Sequence, residues 1–321
     1  MELKSYLSIL KRYRAVIIAC MVLLIAVALA FSFLRTARSP QPLRDSIIGG
    51  FLGLLLGLGL ASLLEYLDNS VRTSSELKEL LQKPVLAEIP LSYKASAANS
   101  NSGGLEDCEI LESVRTLRAH VLSLDMGKSM KTLLITSANN GEGRSLVALQ
   151  LAKAFAAIGK ETLLVDADLR KAEQSTQIAQ EELGLAYLVR TNAPIERVLK
   201  KTSMEHLKYL PSGPLPDNPS ELLSSGGMQT TFALLQADFE IIILDSSPLS
   251  RFADALVLAS LTDEVIVVVE AESTEAVAVE AVKDLLTKPG INVLGAVLNK
   301  VKPGKKVNRM RRAHGQAHKV L

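Results

Sequence analysis

The sequence predicts an α/β fold in which a parallel sheet carries helices on both faces, preceded by a two-helix transmembrane hairpin. Three observations carry this. Continuous Val/Ile/Leu runs alternate with helical patterns from residue 105 onward. A glycine turn, "SANNGEGRS" (137–145), joins an apolar strand to an amphipathic run. Two uncharged stretches of about twenty residues lie close together near the N-terminus.

The first stretch, "AVIIACMVLLIAVALAFSFL" (15–34), holds twenty residues without a charge. At about 1.5 Å per residue it spans a hydrocarbon core of roughly 30 Å. The second, "SIIGGFLGLLLGLGLASLL" (46–64), is nearly as long. Only "RTARSPQPLRD" (35–45) lies between them, which predicts a hairpin with both ends on one side. Lys4, Lys11, Arg12 and Arg14 also resemble the n-region of a signal peptide. The apolar run exceeds an ordinary h-region, however, and a second span follows directly. Gly49, Gly53, Gly57 and Ala61 recur every four residues. This small-residue stripe lets helices approach closely and predicts association with a neighbouring copy.

After the second span, Thr73 before "SSELKELL" reads as an N-cap and a short helix, and "PVLAEIP" as a short strand or extended segment. "SYKASAANSNSGG" (92–104) has the composition of a linker. "EDCEILESVRTLRAHVLSL" is a helix. "TLLIT" (132–136), "TLLVDADLR" (162–170), "FEIIILDSSPL" (239–249), "DEVIVVVEA" (263–271) and "INVLGAVLN" (291–299) are strands buried on both faces. The expected organisation is a hairpin over 1–68, a juxtamembrane segment and linker over 69–104, an α/β domain over 105–300, and a basic, disordered tail over 301–321.

Composition narrows the function classes. The chain is 48% hydrophobic with a mean hydropathy of +0.23, high for a wholly soluble protein. A net charge of +2 gives no global bias toward acidic or basic partners. Two cysteines, Cys20 and Cys108, make no disulfide framework. Aromatic content of 4% without tryptophan argues against stacking surfaces for single-stranded nucleic acid. His314 and His318 are four apart, with no further ligand nearby in the sequence.

Ligands of parallel sheets bind at the carboxyl ends of the strands. Three segments end there. The turn after the first strand matches Gly143 and Ser145 of the P-loop pattern G-x-x-x-x-G-K-[ST], with Ala138 in place of the first glycine and Arg144 in place of the lysine. Gly141 and Gly143 permit an anion nest, and the helix behind adds its positive N-terminus. Asp166 and Asp168 close the second strand; Asp245 ends "IIILD" as a Walker-B aspartate does. In this order the segments indicate a P-loop NTPase site for a nucleotide and Mg²⁺. Gly141, Glu142, Gly143, Arg144, Ser145 and Leu146 are the expected nucleotide-binding residues. Ser145, Asp168 and Asp245 are expected to hold the metal, and Asp166, Asp168 and Arg144 to carry the chemistry.

These motifs, with "LPSGPLPDNPSELLSS" (210–225) and "GAVLNKV" (295–301), resemble those of the bacterial tyrosine kinases of the polysaccharide co-polymerase (chain-length determinant) family. The membrane segments resemble its N-terminal entry and second span. Glu112, Arg115 and Arg118 match its E-x-x-R-x-x-R helix motif, which implies packing against a neighbour's active site. The resemblance implies an ATP-dependent protein-tyrosine kinase, with Asp166 accepting the tyrosine hydroxyl proton. It further implies a ring-like homo-oligomer in the bacterial inner membrane with both termini cytoplasmic. The implied partners are membrane lipid and polysaccharide polymerase or export machinery, with no nucleic acid.

Four departures qualify that expectation. The family's external domain has no counterpart between the spans, so a separate periplasmic-domain protein becomes an expected partner. Arg144 replaces the loop lysine, which predicts weak activity. The six tyrosines (Tyr6, Tyr13, Tyr66, Tyr93, Tyr187 and Tyr209) lie outside the tail where the family carries its tyrosine cluster. Ala172 stands where the second motif usually has proline. The alternative expectation is an inactive oligomeric scaffold. Partitioning ATPases of related fold carry a second lysine where this chain has Asn139.

Overall fold

The computed structural model describes residues 13–34, 42–91, 105–124, 130–170, 183–191 and 193–302. The linker over 92–104, Ala172, both tail histidines and the basic tail from 303 lie outside the described residues. The chain divides into two units, Met1–Asn69 and Ser70–Leu321.

The first unit holds α1 (Arg14–Leu34) and α2 (Pro42–Leu67), which pack together. The glycine stripe explains how. A Cβ on Gly53 would come within 2.7 Å of the Met21 Cα, and one on Gly57 within 3.0 Å of the Ile17 Cα. Gly49 and Ala61 are buried on the same side, while Ile47, Phe51 and Leu55 of α2 face outward. The stripe expected to meet a neighbouring copy therefore meets α1 of its own chain at Gly53 and Gly57. The physical reason is that the missing Cβ atoms let the backbones of the two helices approach closely. By length and composition, Ile47–Leu67 is long and apolar enough to cross a membrane, and α1 is an apolar helix over Arg14–Val27.

The second unit is an eight-stranded sheet. Its elements run α3 (Ser74–Leu81), β1 (Val85–Pro90), α4 (Leu105–Leu124), β2 (Thr132–Ser137), α5 (Arg144–Ala156), β3 (Thr162–Asp166), α6 (Leu185–Thr191), β4 (Lys200–Lys201) and β5 (Leu207–Leu210). There follow α7 (Pro219–Leu223), α8 (Gly226–Asp238), β6 (Ile241–Asp245), α9 (Asp254–Leu261), β7 (Glu264–Glu270), α10 (Ala276–Leu286) and β8 (Val293–Val301). The strand order is β1-β8-β7-β2-β6-β3-β5-β4, parallel except for the β4–β5 pair.

All five expected strands are present. Their unbroken apolar character follows from burial on both faces: Leu134, Ile242 and Leu244 enter one core, Leu133, Ile135 and Ile243 the other. The juxtamembrane segment is more integrated than its composition suggested. β1 pairs with β8 as an edge strand, and α3 packs on α10. Thr73 caps α3, accepting the Glu76 amide at 3.2 Å. The boundary between units thus falls after Asn69.

Parallel pairing aligns the ends that matter. Ile135 lies opposite Asp245, and Asp245 opposite Asp166. The glycine turn and both acidic segments therefore share one end of the sheet.

Candidate nucleotide site

The turn between β2 and α5 is held from two sides. Gly141 and Gly143 have φ of 83° and 87°, a left-handed conformation that suits glycine. A Cβ on Gly143 would also sit 2.1 Å from the Asn299 Nδ2. From β8, Asn299 donates to the Glu142 carbonyl at 2.8 Å, and the Lys300 ammonium to the Gly141 carbonyl at 2.7 Å. From the segment after β6, the Leu249 amide donates to the Ser137 carbonyl at 2.9 Å. With those carbonyls engaged and no side-chain cap on α5, the loop is arranged to offer its N–H groups to an anion.

Glu142 is buried within this loop and accepts the Thr274 hydroxyl at 2.5 Å. Burial pushes its carboxyl above the usual carboxylate range; the Thr274 hydroxyl and the Asn139 and Ala138 backbone offset this only in part. Leu146, on the first turn of α5, is 41% exposed.

The acidic residues divide their roles. Asp168 and Asp245 are buried, 7% and 5% exposed, and both hold Arg144. Its Nη2 donates to Asp168 Oδ2 at 2.7 Å, and its Nε to Asp245 Oδ1 at 2.8 Å. Arg144, expected among the nucleotide-binding residues, has its guanidinium bridging the two carboxylates. The reason is that buried carboxylates need a cation, and a forked guanidinium reaches two at once. Asp166 does not join that pair. It accepts the Asp168 amide at 3.3 Å and lines a cavity of about 410 Å³ with Ser145, Asp245, Leu149, Lys200 and Tyr209.

Further along, Arg170 donates to both oxygens of Asp254, at 2.7 and 3.4 Å, and lies 4.2 Å from the Phe252 ring centroid. Ser220 donates to the same carboxylate. This strut ties the segment after β3 to α7 and α9. The helix motif behaves unevenly: Glu112 and Arg115 pair with each other at the surface, whereas Arg118 donates to the Ala154 carbonyl of its own chain at 2.6 Å. Sequence reading missed Thr274, Asn299, Lys300, Ser220 and Asp254. Thr274 stands just past the end of β7, where inspection for polar residues could have found it, and Asp254 opens α9.

Residues 130–299 match the AAA domain family. The chain is 35% identical to the Bacillus subtilis tyrosine-protein kinase YwqD over 199 residues, 62% of this chain and 82% of that one. It is 33% identical to the Streptococcus agalactiae tyrosine-protein kinase CpsD over 177 residues, 54% and 77% of the two chains. The crystal structure of the chimerical protein CapA2B2 superposes with a TM-score of 0.62 at 27% identity, covering 72% of this chain and all of that one. With its P-loop turn, parallel sheet and strand-end aspartates, the chain belongs to the bacterial tyrosine-protein kinase family.

Proposed function

We propose that the chain is an ATP-dependent protein-tyrosine kinase of capsule or exopolysaccharide production, tethered to the inner membrane by its paired N-terminal helices. The observation that carries this reading is the convergence of the loop, Asp166, Asp168 and Asp245 at one end of the sheet. The donor set suits Mg²⁺. Asp168, just after β3, and Asp245, at the end of β6, converge on one cation, the Arg144 guanidinium, and Ser145 lines the adjoining cavity. Among the described residues no three His, Cys, Asp or Glu side chains group as a metal cage. Mg²⁺ commonly keeps several waters and is completed by substrate phosphates.

When bound, Mg²⁺ would neutralise charge on the transferring phosphoryl group. The chain's own residues do the rest. The turn and the α5 N-terminus orient the phosphates. Asp166 faces the cavity that an acceptor hydroxyl would enter and takes its proton. Leu149 and Tyr209 give that cavity apolar wall, and Lys200 borders it. Lipid contact is supported by the outward Ile47, Phe51 and Leu55. A ring-like homo-oligomer is supported by the exposed Glu112–Arg115 pair on α4. Partnership with polysaccharide machinery and a separate external-domain protein follows from the family resemblance.

One observation favours the alternative, an inactive scaffold: the guanidinium occupies both metal-facing carboxylates. Measuring Mg·ATP binding and turnover of the full chain separates the two. Binding with slow turnover is expected; absence of binding in both the wild type and Arg144→Lys would overturn the kinase reading.

A further inference from the structure

Arg144 is where this chain departs from the loop pattern, and its side chain leaves the turn to bridge the ends of two other segments. The three residues involved are 8%, 7% and 5% exposed. We infer that Arg144 makes the divalent-cation site conditional on nucleotide. Without nucleotide its guanidinium fills the place between Asp168 and Asp245; the cation gains that place only when phosphates draw the guanidinium away. This rests on the ATP-site reading above.

The argument is one of competing charges. Two buried carboxylates must be answered by a cation. The guanidinium answers both through charge-assisted bonds of 2.7 and 2.8 Å, from two nitrogens of one rigid plane. A hydrated Mg²⁺ arriving alone must shed water, which it does reluctantly, and must also evict that fork. Phosphates change the balance. They would bind at the α5 N-terminus, where Arg144 is the first helical residue. A guanidinium swung toward phosphate oxygens gives up the geometry that places Nε on Asp245 and Nη2 on Asp168. Phosphates also supply the cation with further oxygen ligands. Guanidinium and cation therefore exchange places in one coupled step, and each ligand strengthens the other by the same factor. Lysine, a single point charge, would hold these carboxylates less completely, so the condition is particular to arginine.

The test uses the full chain in nanodiscs, Mn²⁺ as a spin-detected probe, and a fluorescent ADP analogue read in parallel. The wild type should bind Mn²⁺ at least about tenfold more weakly without ADP than with it, roughly 1.4 kcal/mol of coupling. Arg144→Met should gain nucleotide-free Mn²⁺ binding by at least that factor, and adding Asp168→Asn should remove the gain. If Arg144→Met does not fold, Arg144→Lys carries the same test with a smaller gain. Equal Mn²⁺ affinity with and without ADP in the wild type overturns the inference. So does a folded Arg144 variant with no gain. Failure of the wild type to bind ADP instead overturns the ATP-site reading, and the ordered exchange with it; the fluorescent channel tells the two failures apart.

Discussion

Asp254→Asn isolates the strut that fixes the segment carrying Asp166 and Asp168. The Asp254 side chain is 2% exposed and faces an Arg170 side chain 21% exposed, with Nε to Oδ2 at 2.7 Å. Asparagine keeps an acceptor for Ser220 but places an amide against the guanidinium. Breaking a buried ion pair costs about 3–5 kcal/mol, and partial exposure of Arg170 puts this one near about 3 kcal/mol. For a unit of this size roughly 2–4 °C accompanies each kcal/mol, so the thermal midpoint should fall by roughly 6–12 °C. The assay is a thermal melt of the full chain, repeated for Arg170→Met and the double variant. Because the partners touch, the double variant should lose less than the sum of the singles, with a coupling of about 1–3 kcal/mol. Nucleotide affinity should fall alongside, since Arg170 lies two residues from Asp168. Strictly additive losses, or single losses below about 1 kcal/mol, would refute the strut.

Glu142→Gln keeps the acceptor for Thr274 and removes a carboxyl whose pKa burial raises. A raised native pKa means stability is greatest below the unfolded-state value and declines as pH rises through the native one. Melts across pH should therefore show the variant gaining on the wild type at neutral pH and matching it in acid. Arg144→Lys restores the usual loop cation, and turnover of labelled ATP should rise by about 10²–10³, the worth of one preorganised group. Gly53→Val would drive a side chain into the Met21 backbone. In a Cys108→Ser background, Cys20 should then react with a permeant maleimide several-fold faster.

Much of the sheet was legible because its strands are buried on both faces, which leaves uninterrupted runs such as "IIILD" and "EVIVVVE". The strand-end aspartates were legible for the same reason: a carboxylate closing such a run has few structural purposes. What escaped were features decided by tertiary pairing. Val85–Pro90 reads as a short strand or extended segment, but its pairing with β8, about two hundred residues on, does not show in the sequence. β4 is two lysines, with no apolar signature. The glycine stripe correctly announced a close helix approach, but nothing in its spacing tells a neighbour's helix from the chain's own. Arg144 was legible as a substitution, yet its partners emerge only once β3 and β6 bring Asp168 and Asp245 within reach.

The central claim, phosphoryl transfer to tyrosine from this site, is tested most directly by phosphotyrosine formation. Full-length wild type, Arg144→Lys and Asp166→Asn would each be incubated with γ-labelled ATP, Mg²⁺ and a tyrosine peptide. The account predicts slow Mg²⁺-dependent labelling in the wild type, faster labelling in Arg144→Lys, and loss in Asp166→Asn with nucleotide binding retained. Bound nucleotide without phosphotyrosine in either of the first two proteins would contradict it and leave the scaffold reading in its place.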